Sequence, residues 1–250
     1  MVGGASALLT PRRWVALAGL LVALALWDAF AAELPGLGEW GDVTLVAAVL
    51  IPATFAAVWL LLPLARARGL LPVALALGAL AAVLDLAGAE ALFNVTKLVA
   101  LALAGFFFLE LFQELSWVVL VAVLIPWVDA LSVWQGPTKV VVEEKPGLFD
   151  KIAVSFSLPG EDAGAALGPP DVLFFALFLA TAARFALRAG VTWLVMTALL
   201  GLTLVLTVAL DLNGLPALPA VAIGFLLANA DLLWRRLRRR HVQLGGEPDG

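Results

Sequence analysis

The chain has no cysteine, no tyrosine and a single histidine, His241. Without cysteine, disulfide frameworks, thiolate metal sites, thiol nucleophiles and S-acylation are all excluded. One histidine excludes a His-rich metal site. Charge is also scarce, at 14% of residues against about 25% in an ordinary soluble domain. In its place stand 63% hydrophobic residues and a mean hydropathy of +1.06, which exclude a soluble globular protein and imply an all-α, polytopic membrane bundle. A crossing helix needs about 20 apolar residues. Eight crossings therefore occupy about 160 positions and leave room for little besides one bundle. The net charge of −4 does not point to nucleic acid, because the basic residues gather at segment ends, where they report topology.

Apolar runs long enough to span fall at about 14–32, 44–65, 70–89, 92–112, 116–134, 163–183, 191–211 and 215–234. The chain divides into four amino-terminal spans (1–112), four further spans with a long 135–162 loop (113–234), and a basic tail (235–250). All eleven arginines lie near segment ends, at 12, 13, 66, 68, 184, 188, 235, 236, 238, 239 and 240. With eight crossings they fall on one side, so the positive-inside rule predicts a multi-pass protein of the cell membrane with both termini cytoplasmic and the long loop outside. The first run has the parts of a secretory signal, with Arg12-Arg13 ahead of an apolar core and a small-residue site at Ala29-Phe30-Ala31. It continues into a polytopic chain and reads as a retained helix. The long loop contains two strand-like runs, 139–144 and 151–158, around Lys145-Pro146-Gly147. They read either as a short β-hairpin or as an irregular solvated loop.

A carboxylate within the hydrocarbon costs several kcal/mol, so each intramembrane acid is a functional candidate. Asp28, Asp85 and Asp211 lie near outer boundaries and Asp231 lies one turn before the arginine tail, positions where a structural role suffices. Asp231 is expected to pair with Arg235, four residues on, and Lys97 with Asp85 or Glu90. Asp129 and Asp171 lie deeper, about 7 Å and about 12 Å below the outer ends of consecutive spans at 1.5 Å per residue. Two facing carboxylates there hold one proton between them and form an acid and a base in one site.

The surrounding backbone predicts a wet, irregular region at that depth. Pro126, three residues before Asp129, removes an intrahelical hydrogen bond to Ala122 and is a cause of kinking. Gly168-Pro169-Pro170-Asp171 cannot be regular helix upstream of the aspartate and reads as a helix start with Asp171 in its first turn. Leu215-Pro216-Ala217-Leu218-Pro219 is another rigid, non-helical lead-in to a span. Such backbone survives at membrane depth where it lines a water-filled cavity.

These three places, in this order, resemble the intramembrane aspartyl proteases of the presenilin and signal-peptide-peptidase family. Val128-Asp129, followed by Gly136-Pro137, is similar to the family's Tyr-Asp helix; Gly168-Pro169-Pro170-Asp171 is similar to its Gly-x-Gly-Asp motif; Pro216-Ala217-Leu218 matches its Pro-Ala-Leu motif. The resemblance covers 116–234. It departs from the family at Val128, where tyrosine is usual, and at Pro170, where glycine is usual.

The resemblance implies an aspartic-type endopeptidase that hydrolyses peptide bonds of transmembrane helices or signal peptides. Asp129 and Asp171 would be the catalytic pair acting on a bound water, with no metal or other cofactor, and Gly168, Pro169, Pro170, Pro216, Ala217 and Leu218 would bind substrate. The orientation resembles the signal-peptide-peptidase arm, and an extended substrate could add to the edge of a sheet in the long loop. Two other readings remain open: an inactive relative that binds membrane helices, and a proton-coupled transporter, which also places carboxylates and broken helices at membrane depth.

Overall fold

A computed structural model of the chain describes residues 10–135, 151–161, 164–212 and 215–244. Helix occupies each of the eight apolar runs. The first is α1 (Pro11–Phe30), started by Thr10, whose hydroxyl accepts from the Arg13 N–H, and by Pro11 at the first helical position. The second run is built of α2 (Glu39–Leu45) and α3 (Ile51–Leu61), joined through a π-helical turn, Val46–Leu50. Then come α4 (Leu70–Leu86), α5 (Glu90–Phe108) and α6 (Leu115–Gln135). After the long loop follow α7 (Pro169–Arg184), α8 (Ala189–Ala209) and α9 (Leu218–Leu244). Five of the eight segments are long and apolar enough to cross a membrane, namely α1, α2–α3, α5, α8 and α9.

The bundle is organised around α7. Every residue from Phe175 to Ala182 is buried, as expected of a helix that is apolar on all sides and surrounded by others. It packs against α5, α8 and α9, and more narrowly against α6. Phe175 stacks on Phe55 of α3 with ring centroids 3.8 Å apart, and Phe178 stacks on Phe225 of α9 at 4.9 Å. Because lipid is as apolar as leucine, close van der Waals fit holds such helices together, and small residues permit it. Gly105 of α5 is such a point: a Cβ there would lie 2.4 Å from the carbonyl oxygen of Leu173 in α7.

Buried polar links fix the remaining helices. Asn229 of α9 donates to the Thr192 hydroxyl of α8 at 2.8 Å and accepts from the Arg188 N–H at 3.0 Å. The Trp193 indole N–H donates to the Phe55 carbonyl at 2.8 Å, tying α8 to α3. Asp231 does not use Arg235 as expected from helix spacing; Arg188 grips it through two hydrogen bonds of 2.7 and 2.8 Å. The tertiary partner presents a fork that matches both carboxylate oxygens, which a neighbour on the same exposed helix face does less well.

The helices carry a small antiparallel sheet. β1 (Val154–Phe156) pairs with β2 (Ala165–Leu167) in the register Val154 with Leu167, Ser155 with Ala166 and Phe156 with Ala165. β1 lies in the second of the two strand-like runs. The first run, 139–144, lies outside the described residues. The partner strand was expected to be the start of the sixth span. That span is therefore shorter than its apolar run: Gly168, Pro169 and Pro170 delay the helix, and the three residues before them pair as strand.

The close approach at Gly105 is testable. Gly105→Ala is expected to destabilise the protein by about 1–3 kcal/mol through backbone displacement. Gly78→Ala, on α4 with nothing within 4 Å of the added methyl, is expected to be neutral or stabilising by up to about 1 kcal/mol. Unfolding midpoints in detergent that move together for the two variants would contradict the α5–α7 contact.

Candidate active site

The two aspartates come from two helices, α6 and α7, that touch each other. Asp171 is the third residue of α7, and its Oδ2 accepts from the Gly168 N–H at 3.0 Å, so the carboxylate caps its own helix. The glycine matters here: a Cβ at position 168 would stand 3.1 Å from that same Oδ2. Pro169 and Pro170 occupy the first two helical positions, where a missing N–H is harmless and the fixed φ suits the helix. Asp171 is 9% exposed.

Asp129 lies half-buried on α6, three residues after Pro126. The helix runs on through the proline without interruption. Its Oδ2 accepts from the Leu218 N–H at 3.2 Å. Leu218 opens α9, so this N–H is one of the first-turn donors that a helix leaves free, and the positive end of the helix dipole faces the carboxylate. Ala217 precedes it with its carbonyl accepting from Ala220 and Val221, at 3.0 and 3.3 Å, which starts the helix. Pro216 and Ala217 thus shape the lead-in to α9, and the contact with Asp129 is made by Leu218.

Asp129 and Asp171 lie within electrostatic reach of each other. In each carboxyl group Oδ2 is held by a backbone N–H, and Oδ1 has no hydrogen-bond partner among the described residues. The arrangement presents two fixed acids, each with one oxygen uncommitted. Of the candidate residues, the structure pairs Asp171 with Gly168 and Asp129 with Leu218. At the two positions where the sequence departs from the motifs it resembles, Val128 is 62% exposed and Pro170 is exposed.

The sixteen residues of α7 rise about 24 Å, less than the roughly 30 Å of a hydrocarbon core, and the strand β2 precedes them.

Residues outside the expected set hold that strand pair in place. The Asn94 side chain of α5 donates to the Ser155 carbonyl at 2.8 Å and accepts from the Ser155 N–H at 2.9 Å, as a neighbouring strand would. Lys97, one turn on, donates from Nζ to the carbonyls of Lys151 and Ala153, the former at 3.2 Å. Asp85, one of the two acids expected to face Lys97, pairs with Lys151 at 3.1 Å. A backbone carbonyl is invisible to any search for charge partners. From α1, the Trp27 indole donates to the Ser157 carbonyl at 3.0 Å, and Asp28 accepts from the Ser157 hydroxyl. The polar pair Asn94 and Lys97, three apart on one face of a membrane helix, was the available signal; Asn94, being neutral, was overlooked.

The consequence concerns sheet edges. Ser155 turns its N–H and C=O toward Asn94, so its antiparallel pair with Ala166 is a non-hydrogen-bonded one. Ala166 therefore turns its own N–H and C=O away from β1. Among the described residues nothing bonds to them, and Ala166 is exposed. One edge of the sheet is closed by α5 and α1; the other, on β2, has no partner among the described residues and runs directly into Gly168 and Asp171.

Among the described residues no group of three or more His, Cys, Asp or Glu side chains is placed to hold a metal. No protein-family model matches the chain, and no curated protein matches it.

The site geometry makes a spectroscopic prediction. In NMR spectra of the detergent-solubilised protein, Asp129→Ala is expected to move the Leu218 amide proton resonance toward its unbonded position and leave Gly168 in place, and Asp171→Ala to do the reverse. Both amides unmoved by either change would contradict the two tethers.

Proposed function

We propose that the protein is an intramembrane aspartyl endopeptidase of the presenilin and signal-peptide-peptidase kind, an eight-span bundle that hydrolyses peptide bonds of membrane helices or signal peptides. The observation that carries this reading is the pair Asp129 and Asp171, on separate helices, each tethered by one oxygen to a backbone N–H and each with the other oxygen uncommitted. That both motif departures, Val128 and Pro170, are exposed and so bury no group against the aspartates supports an active rather than an inactive relative. The transporter reading has less behind it, since both acids sit at one end of the bundle and the halves show no inverted repeat.

In this mechanism a water lies between the two Oδ1 atoms. One carboxylate takes a proton from the water as it attacks the peptide carbonyl, while the other, protonated, donates to the carbonyl oxygen. The tethers to Gly168 and Leu218 fix both groups before substrate arrives, so little reorganisation is left for the reaction itself.

A peptide bond in a transmembrane helix is already hydrogen-bonded within the helix and must be unwound before attack. The open edge of β2 offers the freed backbone new partners: a segment adding there as a third strand exchanges hydrogen bonds with Ala166. It is then led along Leu167 and Gly168 to Asp171. With the arginine-rich end in the cytoplasm, substrates would be signal peptides or membrane helices with cytoplasmic amino ends.

The reading is tested by offering a labelled single-span peptide to purified protein. Wild type is expected to cut it, and Asp129→Ala and Asp171→Ala to leave it whole; cleavage surviving in either variant refutes the mechanism, and proton-linked flux in liposomes without cleavage would favour the transporter.

Edge addition has its own test. Ala166→Pro removes an N–H that β1 does not use, so the β1–β2 pair should persist while cleavage falls by about tenfold, the equivalent of one backbone hydrogen bond. Undiminished cleavage would mean that substrate does not add to β2.

A further inference from the structure

At the end of α7 opposite Asp171 lies a cavity of about 690 Å³, within the range of sites that hold drug-sized ligands. Three segments meet around it: the turn after α3, the end of α5 and the last turn of α7. Its charged lining is Arg66, Arg68, Arg184 and Glu110; its apolar walls include Leu62, Leu109 and the small side chains Ala180 and Ala183. Three guanidinium groups against one carboxylate leave a net positive site.

These arginines differ from others at this end of the bundle. Arg188 is spent on Asp231, and Arg236 on the Phe185 carbonyl. Arg66, Arg68 and Glu110, by contrast, make no hydrogen bond or ion pair among the described residues. Arg184 is positioned by one bond, Nη1 to the Leu109 carbonyl at 2.9 Å, and keeps its other N–H donors. Gly69, at φ +75°, turns the chain straight after Arg68, in a left-handed conformation that other residues rarely adopt. Guanidinium forks match phosphate oxygens in pairs. An apolar wall beside them suits an attached hydrocarbon, and basic pockets between transmembrane helices at this level take anionic headgroups.

We infer that this cavity binds a phosphodiester or phosphate monoester, with Arg66, Arg68 and Arg184 on the phosphate oxygens and Glu110 accepting from a hydroxyl or amine on the same ligand. The two sources of that chemistry are an anionic phospholipid headgroup and a free phosphate-bearing solute. Since Ala180, Ala183 and Arg184 belong to α7, the ligand grips the far end of the helix that carries Asp171. The inference stands independently of the peptidase reading.

The test uses the full chain in detergent and follows the unfolding midpoint during titration with phosphatidylglycerol, phosphatidylcholine or glycerol phosphate. Wild type is expected to be stabilised by phosphatidylglycerol and much less by phosphatidylcholine. Arg66→Ala with Arg68→Ala should weaken that binding about tenfold or more. Ala183→Leu, which fills the hollow without touching charge, should weaken it as well, so that loss of binding does not hinge on one variant's folding. Stabilisation by glycerol phosphate as strong as by the lipid assigns the site to a soluble ligand. Equal binding of both lipids, or binding unchanged in both variants, overturns the proposal.

Discussion

Two backbone N–H groups, those of Gly168 and Leu218, hold the carboxylates of Asp171 and Asp129 where no protein element would otherwise keep two acids. Both donors exist because helices begin there. α7 starts on two prolines and α9 just after one; a proline cannot continue a helix backward, so each helix starts late and leaves first-turn donors free. In water those donors would bond solvent. Deep in a bundle they are a fixed positive potential, and a carboxylate is the group that satisfies it. The broken backbone and the buried acids are therefore one arrangement: each makes the other tolerable.

The rest of the bundle supports that arrangement. α7 is short, central and enclosed, and stacked phenylalanines from α3 and α9 clamp its middle. Gly105 lets α5 come within backbone distance of it two residues past Asp171. The same α5 supplies Asn94 and Lys97, which seize β1 and so place β2, the strand that leads into α7. One helix thus packs against the start of α7 and holds the strand pair that leads into it.

Much of this was legible in the residues. Eight apolar runs became eight helical segments because composition alone decides what lies in lipid, and Asp129, Asp171 and the proline clusters stood out because lipid tolerates them poorly. β2 did not stand out. Ala165-Ala166-Leu167 is apolar and continuous with the helix that follows, and a short apolar run has no period to separate strand from helix. Partners were harder still. Local spacing favoured Arg235 for Asp231, but the fold brings Arg188, distant in sequence, into a two-bond grip. The two loop carbonyls that receive Lys97 were not foreseen, because charge is what a sequence displays.

The central claim is that both carboxylates act together on one tetrahedral centre, and a peptide carrying a hydroxyl-bearing tetrahedral carbon in place of the scissile amide tests it most directly. Such a mimic should bind wild type far more tightly than the parent peptide does, and Asp129→Ala and Asp171→Ala should each abolish that advantage while still binding the parent. Equal affinity for mimic and parent in wild type, or an advantage that survives removal of either aspartate, would contradict the account.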